Sequence, residues 1–454
     1  MGWISHPATY RAVWRWHFYA GLIVAPFLLI LSVTGAIYLF NDEINDALHA
    51  EKRIVAPHER ALPLSRLVAV AEASVSGKAT RIDTWSAPDR SAQVFVTASD
   101  GTPLRVFVDP GTGTALGSYV YDRTLVGFAD RFHGSLMLGA FGDGIVELAA
   151  CWGVVLLVTG LYLWWPRGVR SFAEALTPRL SATGRSFWKS LHAVVGVWTA
   201  GLILFLILTG LPWANVWGTL LRGGADAAGV GYPISHRNHG SVPASTIKQA
   251  TGEAPWALET APMPTSEDHG AHHGGHRDHA AAEAAPMGVD AAADRLAQAG
   301  MAHPYRLSLP DGPTGVFSAY TYPDRPQGQR TVQLDQYSGR IVNDVGFEDY
   351  GGVAKAVELG VQLHMGNYFG LANQIVMLLA CLGTAALSIT GPIMWWRRRP
   401  KGALGAPRPL EPARLRAVAL ITLALGVLFP LAGGSLLAAL TLDRFVERRR
   451  RAAP

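Results

Sequence analysis

Four histidines stand at matched positions in apolar or interfacial stretches of the chain. In "WRWHFYAGLIVAPFLLILSVTG", His17 precedes the pair Thr34-Gly35. In "WKSLHAVVGVWTAGLILFLILTG", His192 precedes Thr209-Gly210 at the identical separation. His133 in "RFHGSLMLG" precedes Thr159-Gly160, and His364 in "QLHMGNYFG" precedes Thr390-Gly391, again at one shared separation. Two neutral imidazoles facing one another suit a metal with two open axial positions, such as the iron of a b-type haem. A neutral interfacial histidine copied by duplication would produce the same spacing, so spacing alone leaves both readings open.

The elements that carry these residues read as membrane helices. Apolar stretches at about 18–40, 145–165, 193–214 and 372–396 are long enough to cross a hydrocarbon core, and their interiors lack Lys and Arg. The first is too long for a signal-peptide core and has no small-residue cleavage site, so it is expected to be retained. Arg11 and Arg15 precede the first span. Arg167, Arg170, Arg179, Arg185 and Lys189 fill the link between the second and third, and Arg397, Arg398, Arg399 and Lys401 follow the fourth. The positive-inside rule makes these segments cytoplasmic and puts 41–144 and 215–371 outside. The net charge of +5 then reflects topology in a lipid bilayer, and no nucleic-acid partner is expected. Cys151 and Cys381 both fall inside spans, and no Cys-x-x-Cys-His run offers covalent haem attachment. The apolar tail at 413–442, interrupted by "FPLAGG", reads as a hairpin returning to the cytoplasm.

The expected fold is an α-helical polytopic membrane protein with internal duplication: four core helices, a C-terminal apolar hairpin or span, and two small external α+β modules. Its segments are 1–44 (first helix), 45–122 (first module), 123–166 (second helix with its histidine segment), 167–187 (basic loop) and 188–214 (third helix). Then follow 215–353 (second module), 354–397 (fourth helix with its histidine segment) and 398–454 (basic linker and tail). Each module is expected to set one helix on an antiparallel sheet, and Asp109–Gly113 corresponds to Asp335–Gly339. An even number of spans per half gives both halves one orientation, so a pseudo-two-fold axis along the membrane normal pairs His17 with His192 and His133 with His364. About 23 residues of helix, roughly 34 Å, separate the first pair from the external surface. Arg11, Arg15 and Lys189, or Arg123 and Arg131, are candidate partners for haem propionates or ordinary interfacial anchors. The Trp164-Trp165 and Trp395-Trp396 pairs read as belt residues, and Glu147 faces a polar cavity or the interface.

The pattern "WRWHFYAGL", the Thr-Gly spans, "FHGSLMLG" and the external modules resemble the PepSY-associated transmembrane family, which includes FoxB-type siderophore reductases and PiuB-like iron-regulated membrane proteins. The resemblance covers roughly 8–400. It implies a bacterial inner-membrane cytochrome with two b-type haems on His17, His192, His133 and His364. Such a protein passes electrons from a cytoplasmic donor or quinol to a ferric siderophore or related metal chelate in the periplasm. No nucleophile motif or Rossmann fingerprint is present.

The second external segment carries "SEDHGAHHGGHRDH", residues 266–279, with His269, His272, His273, His276 and His279. These imidazoles form a candidate exposed site for Cu, Ni or Zn, or a solvated low-complexity insertion. Two competing functions follow: a non-enzymatic periplasmic binding or regulatory protein, and a metal-handling accessory protein using the histidine loop.

Overall fold

The computed structural model describes residues 7–166, 172–231, 246–251, 254–266, 285–400, 423–439 and 441. His269, His272, His273, His276 and His279 lie outside the described residues. In chain order the elements used below begin with helix α1 (Pro7–Tyr38), helix α2 (Leu64–Val75) and strands β1 (Gly77–Asp83), β2 (Ala92–Ala98), β3 (Pro103–Val108) and β4 (Ala115–Tyr119). Helices α3 (Leu125–Ser135), α4 (Gly139–Trp164), α5 (Gly184–Gly210), α6 (Asn215–Ala227) and α7 (Val289–Gln298) follow. Strands β5 (Arg306–Ser308), β6 (Val316–Thr321), β7 (Arg330–Asp335) and β8 (Ile341–Gly346), then helices α8 (Gly352–His364) and α9 (Leu371–Arg398), complete the set. The chain forms two compact units, one of residues 1–39, 129–223 and 363–454, the other of 40–128 and 224–362.

In the helical unit, four helices among the described residues are long and apolar enough to cross a membrane: Thr9–Tyr38, Gly139–Trp164, Gly184–Trp213 and Leu371–Arg398. They match the four expected spans, and the protein is a membrane protein. Helix α1 packs against α4 and α9, and α5 packs against the same two, so α1 and α5 occupy opposite corners of a four-helix bundle. Small residues permit the close approaches, as is usual where lipid supplies no hydrophobic drive. A Cβ on Gly383 would lie 2.5 Å from Thr199 Cγ2, and one on Gly153 would lie 2.9 Å from Ile207 Cδ1.

The chain reverses direction between each short histidine helix and the span that follows it. Shortly after His133 and His364, at equivalent positions, Gly139 and Gly370 both take a φ of +59°, a conformation open to glycine but costly for other residues. In the first of these turns Leu136 and Met137 are also left-handed, at +50° and +60°. In the tail, residues 423–428 and Pro430–Ala439 are helical on either side of Phe429. A Cβ on Gly433 would stand 2.2 Å from Gly426 Cα, so these two short helices approach closely, while the rest of the expected tail at 413–442 lies mainly outside the described residues.

The second unit holds both α+β modules, and here the expectation needs extending. Each half is one helix over four antiparallel strands, but the strands run β4-β3-β2-β1-β5-β6-β7-β8 as one eight-stranded sheet. The join pairs Arg81 with Ser308, Ile82 with Leu307 and Asp83 with Arg306. Left apart, β1 and β5 would each present an unpaired edge. Joined, they place α2 and α7 over one continuous core that includes Leu67, Ile82, Val94, Leu296, Leu307 and Val332. Asp290 near the start of α7 accepts the Ser65 backbone N–H at 2.9 Å and the Ser65 hydroxyl, tying the two helices together.

The paired turns correspond as expected. Asp109 Oδ1 accepts the N–H of Gly111 at 2.8 Å, and Asp335 Oδ1 accepts those of Tyr337 at 3.0 Å and Ser338 at 2.8 Å. Gly113 and Gly339 close the turns at φ +71° and +67°, as Asx turns into a left-handed residue require.

Candidate functional site

All four histidines lie in the helical unit and fall into two layers. In the first, His17 on α1 and His192 on α5 face each other with ring centroids 6.3 Å apart and planes at 86°. They border a cavity of about 440 Å³ between α1, α4, α5 and α9. Gly21 and Gly196, each one helical turn beyond its histidine, form part of the wall, where larger residues would intrude. In the second layer, His133 stands in the last turn of α3 and His364 ends α8.

Each ring rests on a Thr-Gly pair of another helix. Nδ1 of His17 lies 2.9 Å from Thr159 Oγ1, and Nδ1 of His192 lies 2.8 Å from Thr390 Oγ1. In the other layer, His133 Nδ1 lies 3.0 Å from Thr34 Oγ1 and His364 Nδ1 lies 2.8 Å from Thr209 Oγ1. The adjoining glycine leaves room for the ring. A Cβ would come within 3.2 Å of His17 Cε1 at Gly160 and of His133 Cε1 at Gly35, 3.5 Å of His364 Cε1 at Gly210, and 3.8 Å of His192 Cε1 at Gly391.

The sequence presents these Thr-Gly pairs only as markers of a repeat. Their role was hidden because every threonine serves a histidine on a different helix, and the matching histidine-to-threonine separations in the two halves were the available signal. The same contacts fix the depth of the second layer. His133 and His364 reach Thr34 and Thr209, which share α1 and α5 with His17 and His192. At helical rise each threonine stands about 25 Å along its helix from that histidine, and the two layers are separated accordingly. The roughly 34 Å expected from the first pair to the external surface is a different distance: Thr34 and Thr209, which meet the second pair, stand inside the membrane-crossing helices.

Among the cations considered, Lys189 lines the cavity, joined by Arg185 and Arg398. Arg11 and Arg15 are not part of its lining, and Arg15 stands 5.5 Å from the Tyr19 ring centre. The Arg398 guanidinium lies 4.5 Å from the Trp14 ring centre, a cation–π contact between two residues of the cavity lining. Arg123 and Arg131 are both exposed. Trp164 belongs to the cavity wall and donates to the Ala175 carbonyl at 2.9 Å, and Trp395 also lines the wall.

Glu147 has neither of the expected roles. It is 1% exposed and accepts the backbone N–H groups of Val216 at 2.8 Å and Trp217 at 3.1 Å. It therefore caps the N-terminus of α6, assisted by Asp143, which accepts the Asn215 N–H at 3.2 Å. Cys151 and Cys381 are free and buried.

Among the described residues no cluster of three or more His, Cys, Asp or Glu side chains is arranged to hold a metal ion. No curated protein matches the chain. The family model for the PepSY-associated TM region matches residues 14–398, covering all four spans, all four histidines and the sheet unit between them. The chain belongs to the PepSY-associated transmembrane family.

Proposed function

We propose that the protein is an inner-membrane oxidoreductase holding two b-type haems, one in each histidine layer. It moves electrons from a cytoplasmic donor or quinol to a ferric chelate of the siderophore class in the periplasm. The correspondences between the halves support an internal duplication in which each layer takes one ligand from each half.

One observation carries this reading: the 6.3 Å between the His17 and His192 rings. An imidazole nitrogen bonds a transition metal at about 2 Å and lies ~1.2 Å from its own ring centre, so two imidazoles on opposite sides of one metal have centres about 6.4 Å apart. The surroundings fit a macrocycle with carboxylate arms. The cavity walls are largely apolar, Gly21 and Gly196 leave space beside the histidines, and Arg185, Lys189 and Arg398 supply positive charge at the lining.

When bound, haem supplies a reversible one-electron carrier at each layer. The chain's own residues hold it, exclude water and balance its charge. Basic residues flank the ends of the spans near His17 and His192, so the positive-inside rule puts that layer on the cytoplasmic side and His133 and His364 toward the periplasm. Hard oxygen donors bind ferric iron more tightly than ferrous iron, so adding one electron to the chelated Fe³⁺ loosens the Fe²⁺ product without breaking a covalent bond of the chelator. This task requires no general acid or base.

A reduced-minus-oxidised visible spectrum of the purified full-length protein, with pyridine haemochrome quantitation, tests the proposal. About two b haems per chain are expected. A folded preparation made with ample haem supply that contains none would overturn the proposal and favour a binding or regulatory role.

A further inference from the structure

The proton positions around the four histidines follow from what each threonine hydroxyl already does. Such a hydroxyl has one proton to donate and lone pairs to accept. Thr159 Oγ1 donates to the Val155 carbonyl at 2.6 Å and Thr390 Oγ1 to the Ala386 carbonyl at 2.7 Å. In the other layer, Thr34 donates to the Ile30 carbonyl at 2.8 Å and Thr209 to the Phe205 carbonyl at 2.7 Å. This bond to residue i−4 is a common way for threonine to sit inside a helix. With the proton so placed, the hydroxyl can meet an imidazole nitrogen only as acceptor, and that nitrogen must carry the hydrogen.

We infer that Thr159, Thr390, Thr34 and Thr209 are positioning residues that fix His17, His192, His133 and His364 as Nδ1–H tautomers and leave Nε2 of each as the ligating atom. The inference rests on the haem reading for its electronic consequence but not for the tautomer. A hydrogen bond donated from Nδ1–H orients a metal-binding imidazole and raises its basicity. Greater electron donation favours the oxidised metal, so each threonine holds its own layer at a lower potential than an apolar residue would. Because Thr34 and His17 share α1, and Thr209 and His192 share α5, each of these helices carries a ligand for one layer and the orienting group for the other.

The test uses the full-length purified chain with Thr159→Val, Thr34→Val and the corresponding serine variants, read by redox titration and low-temperature EPR. Valine keeps the volume and removes the acceptor. Thr159→Val is expected to move the midpoint potential of the His17/His192 layer upward, or to release haem from that layer alone, while the other layer is unchanged. Thr34→Val should do the converse, and serine should restore both. An unchanged potential and spectrum, or an equal change in both layers, overturns the inference. Imidazole ¹⁵N shifts of the unmutated chain decide the tautomer separately, with or without haem. Nδ1-protonated rings are expected, and Nε2-protonated rings overturn the inference even if two haems are found. Absence of haem in the unmutated chain defeats the proposed function and leaves the tautomer to the ¹⁵N result.

Discussion

Gly160 faces His17 so closely that a methyl group in place of its hydrogen would stand 3.2 Å from the ring's Cε1. The neighbouring Thr159 holds Nδ1 of the same ring at 2.9 Å. The dipeptide therefore controls both the distance and the direction of the imidazole, and the other three Thr-Gly pairs do so with graded clearance.

That gradation makes a prediction. Alanine at Gly160 or Gly35, where the Cβ would meet the ring at 3.2 Å, must displace the imidazole by a few tenths of an ångström. At Gly391 the distance is 3.8 Å, an ordinary van der Waals contact. Gly160→Ala should reduce haem retained in the His17/His192 layer, and Gly391→Ala should leave it near the unmutated level. Haem-to-protein ratios from pyridine haemochrome assays measure the difference, and equal losses for the two variants would contradict the packing argument.

Cations at the cavity lead to a second prediction. Arg185, Lys189 and Arg398 share the lining with His17 and His192. Positive charge stabilises the more negative, reduced state of a nearby redox centre through an interaction only partly screened inside a protein. Arg398→Gln or Lys189→Gln should lower the midpoint potential of that layer, with a scale of about 59 mV for each tenfold change in a one-electron equilibrium. A redox titration resolving the two layers checks this. Movement of the His133/His364 layer instead would show that the charges act elsewhere.

The spans, the facing of His17 and His192 and the two Asp-to-Gly turns were legible because each depends on local pattern: apolar length, fixed spacing, or an Asp-to-Gly run. The relationships that stayed hidden were tertiary. Nothing near Thr159 in the sequence points to His17, and nothing near Glu147 points to the amides of Val216 and Trp217. The join of the two modules was also illegible. It runs through backbone hydrogen bonds of β5, a strand of three residues, whose short alternation carries little signal of its partner. The contacts of His133 with Thr34 and of His364 with Thr209 were illegible for the same reason, since each joins residues on separate helices.

A third prediction concerns the sheet unit. Burial alone would push the Asp46 carboxyl upward, but the hydrogen bonds and charges of Arg53 and Arg90 outweigh it and hold the group below the ordinary carboxylate range. Both contacts are 2.6 Å. A depressed folded-state value contributes stability above the unfolded value of about 3.9 and loses it as pH falls through the folded value. Asp46→Asn should therefore lower the thermal midpoint of the purified protein at neutral pH and weaken its dependence on pH below about 4. Parallel acid limbs for the two proteins would assign that pH dependence to other carboxylates.

Glu147 gives the last prediction, one that separates stability from cofactor binding. Its carboxylate is the acceptor for two backbone N–H groups at the start of α6 in a buried setting. Glu147→Ala leaves both donors without that partner, at a cost of about 1–3 kcal/mol for each buried group left unsatisfied. Glu147→Gln keeps one accepting oxygen but turns an amide NH₂ toward a second donor, so an intermediate loss is expected. Glu147 does not line the His17/His192 cavity. Thermal unfolding in detergent should fall in the order unmutated, Gln, Ala, while the haem content of the folded fraction stays constant. Loss of haem at unchanged thermal stability would instead give Glu147 a direct part in the redox site.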